Sequence, residues 1–230
     1  MLLFTTPKGS PAATPEGMAP MARYARELAE RKILKRGAPL AHESEAACVR
    51  VRDGRTLVHD GPFAESKEVI AGFWIIDVPD RAAALEIAKR TPHATHATVE
   101  LAGFEFRGEF GDAGKGTPYL LVFRMEPGLT DPGSEKLREM RTFGEGLART
   151  ATLFETGKLV TDAPPARVQV REGKALVTDG PFAESKEAIG GYGLVRVSGR
   201  DEAIDLALRF PHARWGPVEV REILFFDPIS

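Results

Sequence analysis

The sequence is short of the residues that most often announce a chemistry. Cys48 is its one cysteine, which excludes an internal disulfide and any cysteine-built zinc site and fits a reducing compartment. Five histidines are spread over 230 residues, and no cluster of hard ligands of the kind found in metal motifs is present. No apolar run approaches the ~18 residues of a membrane-spanning helix. The start, Met1-Leu2-Leu3-Phe4-Thr5, lacks the basic residues and longer apolar stretch of a secretory signal. A cytoplasmic location is the expectation, and nothing implies a cofactor. An excess of charge of one sign is missing too: 31 Lys and Arg stand against 33 Asp and Glu, a net charge of -2. That leaves no electrostatic case for a nucleic-acid or membrane partner.

What the sequence does have is an internal duplication. Asp60-Gly61-Pro62-Phe63-Ala64-Glu65-Ser66-Lys67-Glu68 recurs letter for letter as Asp179-Gly180-Pro181-Phe182-Ala183-Glu184-Ser185-Lys186-Glu187. At the same offset of 119 positions the match runs without a gap from Asp60 to Glu100 against Asp179 to Glu219. Ile70/Ile189, Arg81/Arg200, Ala84/Ala203, His93/His212 and Glu100/Glu219 all coincide. A half of roughly 115 residues is the size of an ordinary domain and buries a core of its own. The division read from this is a first copy over 1–107, a linker over 108–116 that is dense in Gly and charge, and a second copy over 117–230.

Each half repeats one order of elements. Short apolar runs, Leu2 to Thr5 and Tyr119 to Phe123, are predicted to be interior strands. A helix follows. In the first half Thr14-Pro15-Glu16 supplies an N-cap and a first-turn proline, and the helix is expected to reach about Arg36, before Gly37. Its counterpart is expected from about Gly133 to Thr156, before Gly157, with Gly144 and Gly146 inside it. Hairpins are predicted next, Ala47–Arg52 with Arg55–Val58 around Asp53-Gly54, and Ala166–Arg171 with Lys174–Val177 around Glu172-Gly173. The nonapeptide leads into strands at 70–78 and 189–197, helices at 81–90 and 200–210, and final strands near 97–106 and 218–226. The inserted hairpin aside, this is the order of a split βαβ, or ferredoxin-like, unit of the α+β class. Both helices of such a unit cover one sheet face. A second identical unit is the simplest cover for the other.

The nonapeptide, set between a hairpin and an Ile/Val strand in both halves, resembles the DGPF, or YCII-related, family. That resemblance implies a dimeric α/β barrel made of two ferredoxin-like units packed sheet to sheet. Here the units would be fused as a pseudo-dimer, a monomer or a homodimer in solution. It implies no settled activity. Two classes remain: a protein that binds or transforms a small molecule in a cleft near the motif, or a non-catalytic regulatory module, for example a companion of an extracytoplasmic-function sigma factor. Some relatives resemble small lyases or dehydrochlorinases acting on aromatics, with a His on the first helix paired to an Asp. Neither first helix here contains His, which leaves that mechanism without its base.

The motif itself divides into two parts. Asp60-Gly61-Pro62-Phe63 reads as a turn, with Asp60 and Asp179 accepting local backbone hydrogen bonds and Pro fixing φ. A turn explains the polar remainder less well. Glu65, Lys67 and Glu68, with Glu184, Lys186 and Glu187, either form ion pairs that lock the loop or line a polar cleft, with the lysine as anion ligand and a carboxylate as general base. His93 and His212, the histidines shared by both halves, read as surface or capping residues at a loop–strand junction, with proton transfer as the alternative if they face the cleft. Four of the five histidines lie in the first half, which favours it as the chemical one. Cys48 has no base arrangement around it in sequence and is not read as a nucleophile. Trp74 stands opposite Gly193, and Trp215 opposite His96, so cavities in the two halves are expected to differ in shape.

Overall fold

In the computed structural model, residues 1–61, 63, 67–109, 116–125, 133–159, 165–180 and 188–224 are described. The first half runs β1 (Leu2–Pro7), α1 (Pro15–Glu30), β2 (Leu34–Pro39), β3 (Ala47–Arg52), β4 (Arg55–Asp60), β5 (Glu68–Ile76), α2 (Arg81–Arg90), β6 (Thr98–Leu101) and β7 (Phe104–Glu109). The second runs β8 (Thr117–Met125), α3 (Ser134–Arg149), β9 (Leu153–Leu159), β10 (Ala166–Arg171), β11 (Lys174–Asp179), β12 (Ala188–Val197), α4 (Arg200–Arg209) and β13 (Val218–Glu222). The chain is a mixed α+β protein of antiparallel sheets and four helices among the described residues.

The long helices are shorter than their periodicity suggests, and each is followed by a strand that the sequence reading had merged into it. Helix α1 starts as expected, with the Thr14 hydroxyl accepting from the Gly17 amide at 3.2 Å. It stops at Glu30. Lys32 takes a left-handed φ of 58°, and Ala151, its counterpart after α3, takes 54°. Ile33 N then donates to Leu28 O at 2.9 Å, and Thr152 N to Leu147 O at 3.0 Å, bonds that close a helix around a left-handed residue. Neither terminator is a glycine. Gly37 and Gly157 lie instead inside β2 and β9, where a Cβ would run into the rings of Trp74 and Tyr192. The hairpins form with both turn residues at positive φ, Asp53 and Gly54 at 51° and 73°, Glu172 and Gly173 at 51° and 74°.

Strand order in one sheet is β11-β10-β6-β1-β5-β2, and in the other β4-β3-β13-β8-β12-β9-β7. The hairpins have changed places. The β3–β4 hairpin of the first half extends the second half's sheet through Val49 opposite Val218. The β10–β11 hairpin of the second half extends the first half's sheet through Val168 opposite Val99. An isolated bridge, Leu40 with Ile223, links the two sheets, and β7, although it belongs to the first half, lies in the second half's sheet beside β9. The stretch 108–116 expected as a linker thus opens inside β7, where Gly108 pairs with Thr156 and Glu109 with Glu155.

Alternation along the strands builds three apolar layers. Leu2 and Phe4 of β1 face α1 and α2 together with Ala166 and Val168 of the exchanged hairpin. Tyr119, Leu121 and Phe123 of β8 face α4 and the other hairpin's Ala47 and Val49. The residues between, Leu3 in β1 and Leu120 and Val122 in β8, meet Phe73, Ile75, Tyr192 and Leu194 in a core shared by both sheets.

Candidate functional site

The duplicated motif begins where β4 and β11 end, and its first residues act across the two halves. Arg200 at the start of α4 reaches Asp60 Oδ1, and Arg81 at the start of α2 reaches Asp179 Oδ1. Arg200 also donates from Nε to the Glu45 carbonyl at 3.2 Å. The carboxylates expected to hold a local turn are therefore seen bonded to guanidiniums 140 and 98 residues away. Gly61 is required by close approach: its amide donates to Ala46 O at 2.9 Å, and any Cβ would collide with the Glu43 carbonyl. Lys8 Nζ donates to the Phe63 carbonyl at 2.8 Å, and Glu43 Oε1 accepts from the Gly9 amide at 2.8 Å. The entry of the motif is thus held by α4, by β1's extension and by the turn before β3.

Its polar remainder is only partly placed. Glu65, Glu184, Lys186 and Glu187 lie outside the described residues. Lys67 is exposed, and its carbonyl accepts from Lys8 N at 2.9 Å. Glu68 is the motif residue that enters a constellation. Buried Thr98 donates from its hydroxyl to Glu68 Oε1 at 3.0 Å and accepts from Gln169 Nε2 at 2.8 Å. The next residue on the same face of β6, Glu100, faces Arg167 at 3.6 Å. Gln169 and Arg167 come from the exchanged hairpin, so this cluster is assembled from both halves.

The second half diverges at the same place. Pro217 stands for Thr98, Arg50 for Gln169 and Cys48 for Arg167. Glu219, the counterpart of Glu100, is instead gripped by Arg124, whose Nε donates at 2.8 Å, and by Arg221 at 3.1 Å. The two carboxyls respond in opposite directions. Burial pushes Glu100 up; Arg167 and Arg124 pull against it, and Glu68 adds to the rise. Burial would push Glu219 up as well, but Arg124 and Arg221 outweigh it and hold the carboxyl below its usual range. Both glutamates face arginine, but Glu219 is held in its charged form by two guanidiniums while Glu100 keeps a proton more readily.

Both shared histidines are buried rather than on the surface. His93 Nε2 donates to the Thr5 carbonyl at 2.8 Å, and His212 Nε2 to the Arg124 carbonyl at 2.7 Å. These carbonyls sit at equivalent points of β1 and β8. Each ring packs beside a phenylalanine, Phe4 or Phe123, with centroids 5.3 and 5.2 Å apart. Burial pushes both imidazoles down, His212 to about 4, so each is a neutral tie between the turn after a helix and the first strand of its half. His96 stacks near His93 at 5.3 Å. No group of three His, Cys, Asp or Glu suited to a metal ion occurs among the described residues, nor is any helix there long and apolar enough to cross a membrane.

The model of the YCII-related domain matches residues 1–103 and again residues 119–227. The chain belongs to the YCII-related family. It carries the YCII-related domain twice, each match taking in a β-α-β set and one exchanged hairpin. An uncharacterised protein of Rhizobium meliloti (strain 1021) is similar to it, 37% identical over 94 residues that make up 40% of this chain and 76% of that relative. The relative is thus similar to a stretch about the length of one YCII-related copy. Thr98, Gln169 and Arg167 were not singled out from sequence. The available signal was the identity of Glu100 with Glu219 beside the change of Thr98 to Pro217.

Proposed function

We propose that this YCII-related protein binds or transforms a small polar molecule at the first-half cluster of Glu68, Thr98, Gln169, Glu100 and Arg167. The observation that carries the reading is the Gln169–Thr98–Glu68 hydrogen-bonded relay, which spans the two halves and includes a residue of the duplicated motif. Glu68 is exposed while Thr98 is buried, so the relay leads from solvent inward. Arg167 would orient an anionic or carbonyl oxygen. Glu100, held towards its protonated form, would exchange a proton with the bound molecule. In this reading Lys67 flanks the entrance, while Glu65, Glu184, Lys186 and Glu187 lie outside the described residues.

We read each half as a ferredoxin-like unit. The order β6-β1-β5-β2 and its equivalent β13-β8-β12-β9 match the strand order expected of a split βαβ sheet, and the bridge of Leu40 with Ile223 links the two sheets. We read this as a pseudo-dimeric α/β barrel in one chain, in which the exchanged hairpins complete the site. The experiment is a thermal-shift screen of small polar acids, amides and carbonyl compounds on the full chain. Repeating each hit on Glu68→Gln and Gln169→Ala should abolish the shift while the unliganded melting temperature stays near wild type. Hits that shift both variants as they do the wild type would overturn the assignment.

A further inference from the structure

The two halves treat their first helix differently. Helix α1 buries Tyr24, Ala25 and Leu28, whereas α3, which spans the equivalent positions, buries only Gly144. Tyr24 is 8% exposed and Leu28 is fully buried, yet their counterparts Phe143 and Leu147 are half-open. In the first half this place is closed by Glu27, which pairs with Arg90 at 3.4 Å, while Arg90 lies over the Tyr24 ring at 5.5 Å. In the second half Gly146 stands where Glu27 does, and a Cβ there would meet nothing nearer than Arg149 Nη2 at 3.7 Å. What opens is a groove of about 960 Å³ between α3 and the end of α4.

The groove has two kinds of wall. Val51 of the exchanged hairpin, Phe143, Leu147, Leu208 and Phe210 give it an apolar lining. Arg138, Arg209 and Arg214 stand with Glu135 and Glu139 around them. Glu139 is taken by Arg214 at 2.9 Å. Among the described residues Arg138 and Arg209 form no ion pair, so the lining carries more cation than anion. With Gly146 where the first half has Glu27, Arg209, the counterpart of Arg90, has no glutamate at that place and the volume beside it is open.

We propose that this groove is a binding site for a small amphipathic anion, an aromatic or aliphatic body carrying a carboxylate or sulfonate. The body would lie on Phe143, Leu147 and Leu208, and the anion would meet Arg138 and Arg209, where an exposed apolar lining beside guanidiniums is otherwise a solvation cost. The site is separate from the Glu68 cluster and stands or falls without it.

The probe is 8-anilinonaphthalene-1-sulfonate, titrated by fluorescence into the native full chain near neutral pH. Saturable binding at one site is expected. Gly146→Glu, which restores the first-half residue and raises helix propensity, should weaken it by about tenfold or more without lowering the melting temperature. Arg138→Gln should weaken it less and flatten its dependence on salt. Unchanged binding in a folded Gly146→Glu variant would overturn the proposal, as would the absence of saturable binding in the wild type. Gel filtration supplies a further arm: a wild-type dimer that Gly146→Glu converts to monomer would show that a second copy covers the groove, again overturning it.

Discussion

The pair most exposed to test is Arg36 with Glu155. They are 119 residues apart, the repeat offset, so the same strand position in the two halves has become a cation in one and an anion in the other. Glu155 is 1% exposed and Arg36 is 31% exposed. Tyr192 donates its hydroxyl to Glu155 Oε1 at 3.0 Å, and Arg36 also lies over the Phe154 ring at 5.7 Å. Arg36→Met takes a guanidinium away from a buried carboxylate. Breaking a fully buried pair costs ~3–5 kcal/mol, and the partial access of water to Arg36 places this one near the lower end, about 3 kcal/mol. In a chain of this size that corresponds to a fall in melting temperature of roughly 6–12 °C. The compensating variant is Arg36→Met/Glu155→Leu/Tyr192→Phe, which removes all three polar groups; Phe is the residue the first half carries at the position of Tyr192, as Phe73. It should recover most of the loss, because replacing buried ion-pair partners together by apolar side chains is close to neutral. Urea denaturation at neutral pH measures both. An Arg36→Met variant within about 0.5 kcal/mol of wild type, or a triple variant less stable than the single, would refute the reasoning.

Three further outcomes follow from the geometry. His212, pushed down to about 4 by burial, is neutral in the fold and ordinary once unfolded. Its contribution is complete above the unfolded value and is lost as pH falls through the window below it, so stability should drop by about 2 kcal/mol between pH ~7.5 and ~5. Urea midpoints of His212→Gln should show a smaller drop, and an equal drop would refute the assignment. Ala151 holds a left-handed φ of 54°, so Ala151→Gly should stabilise the protein by about 1 kcal/mol in urea melts. A destabilised variant would mean that the helix does not end in this way. Gly61→Ala, which forces a Cβ into the Glu43 carbonyl, should cost about 2–3 kcal/mol, and a neutral melt would remove close approach as the reason for that glycine.

Local structure was legible where local chemistry decides it. The Asp53-Gly54 and Glu172-Gly173 turns, the strands flanking them and the helices α2 and α4 stand close to their predicted places. Strands β2 and β9 were missed because their helices end on Lys32 and Ala151, residues with no terminating signature, while the conspicuous glycines a few positions on serve aromatic packing. The exchange of hairpins was illegible for a different reason. Val49 and Val168 are the same residue in the same local sequence, so nothing in the pattern says whether each pairs with Val99 or with Val218. Tertiary reach decides. The Asp60–Arg200 and Asp179–Arg81 pairs depend on that choice, and the repeat marked all four residues without saying which would meet. Likewise Glu68 was found from the motif, but its relay needed Gln169 from the other half, a residue that differs between copies and so left no duplicate to notice.

The central claim is that each half lends its hairpin to the other, and paired cysteines in a Cys48→Ser background test it. Arg167 stands opposite Glu100 in the first half's sheet; if the hairpin stayed with its own half it would stand opposite Glu219. Under mild oxidation Glu100→Cys/Arg167→Cys should form a disulfide within one chain, seen as a faster-migrating monomer on a non-reducing gel, while Glu219→Cys/Arg167→Cys stays reduced. The reverse pattern, closure at 219 and none at 100, would contradict the exchange and the two-half site built upon it.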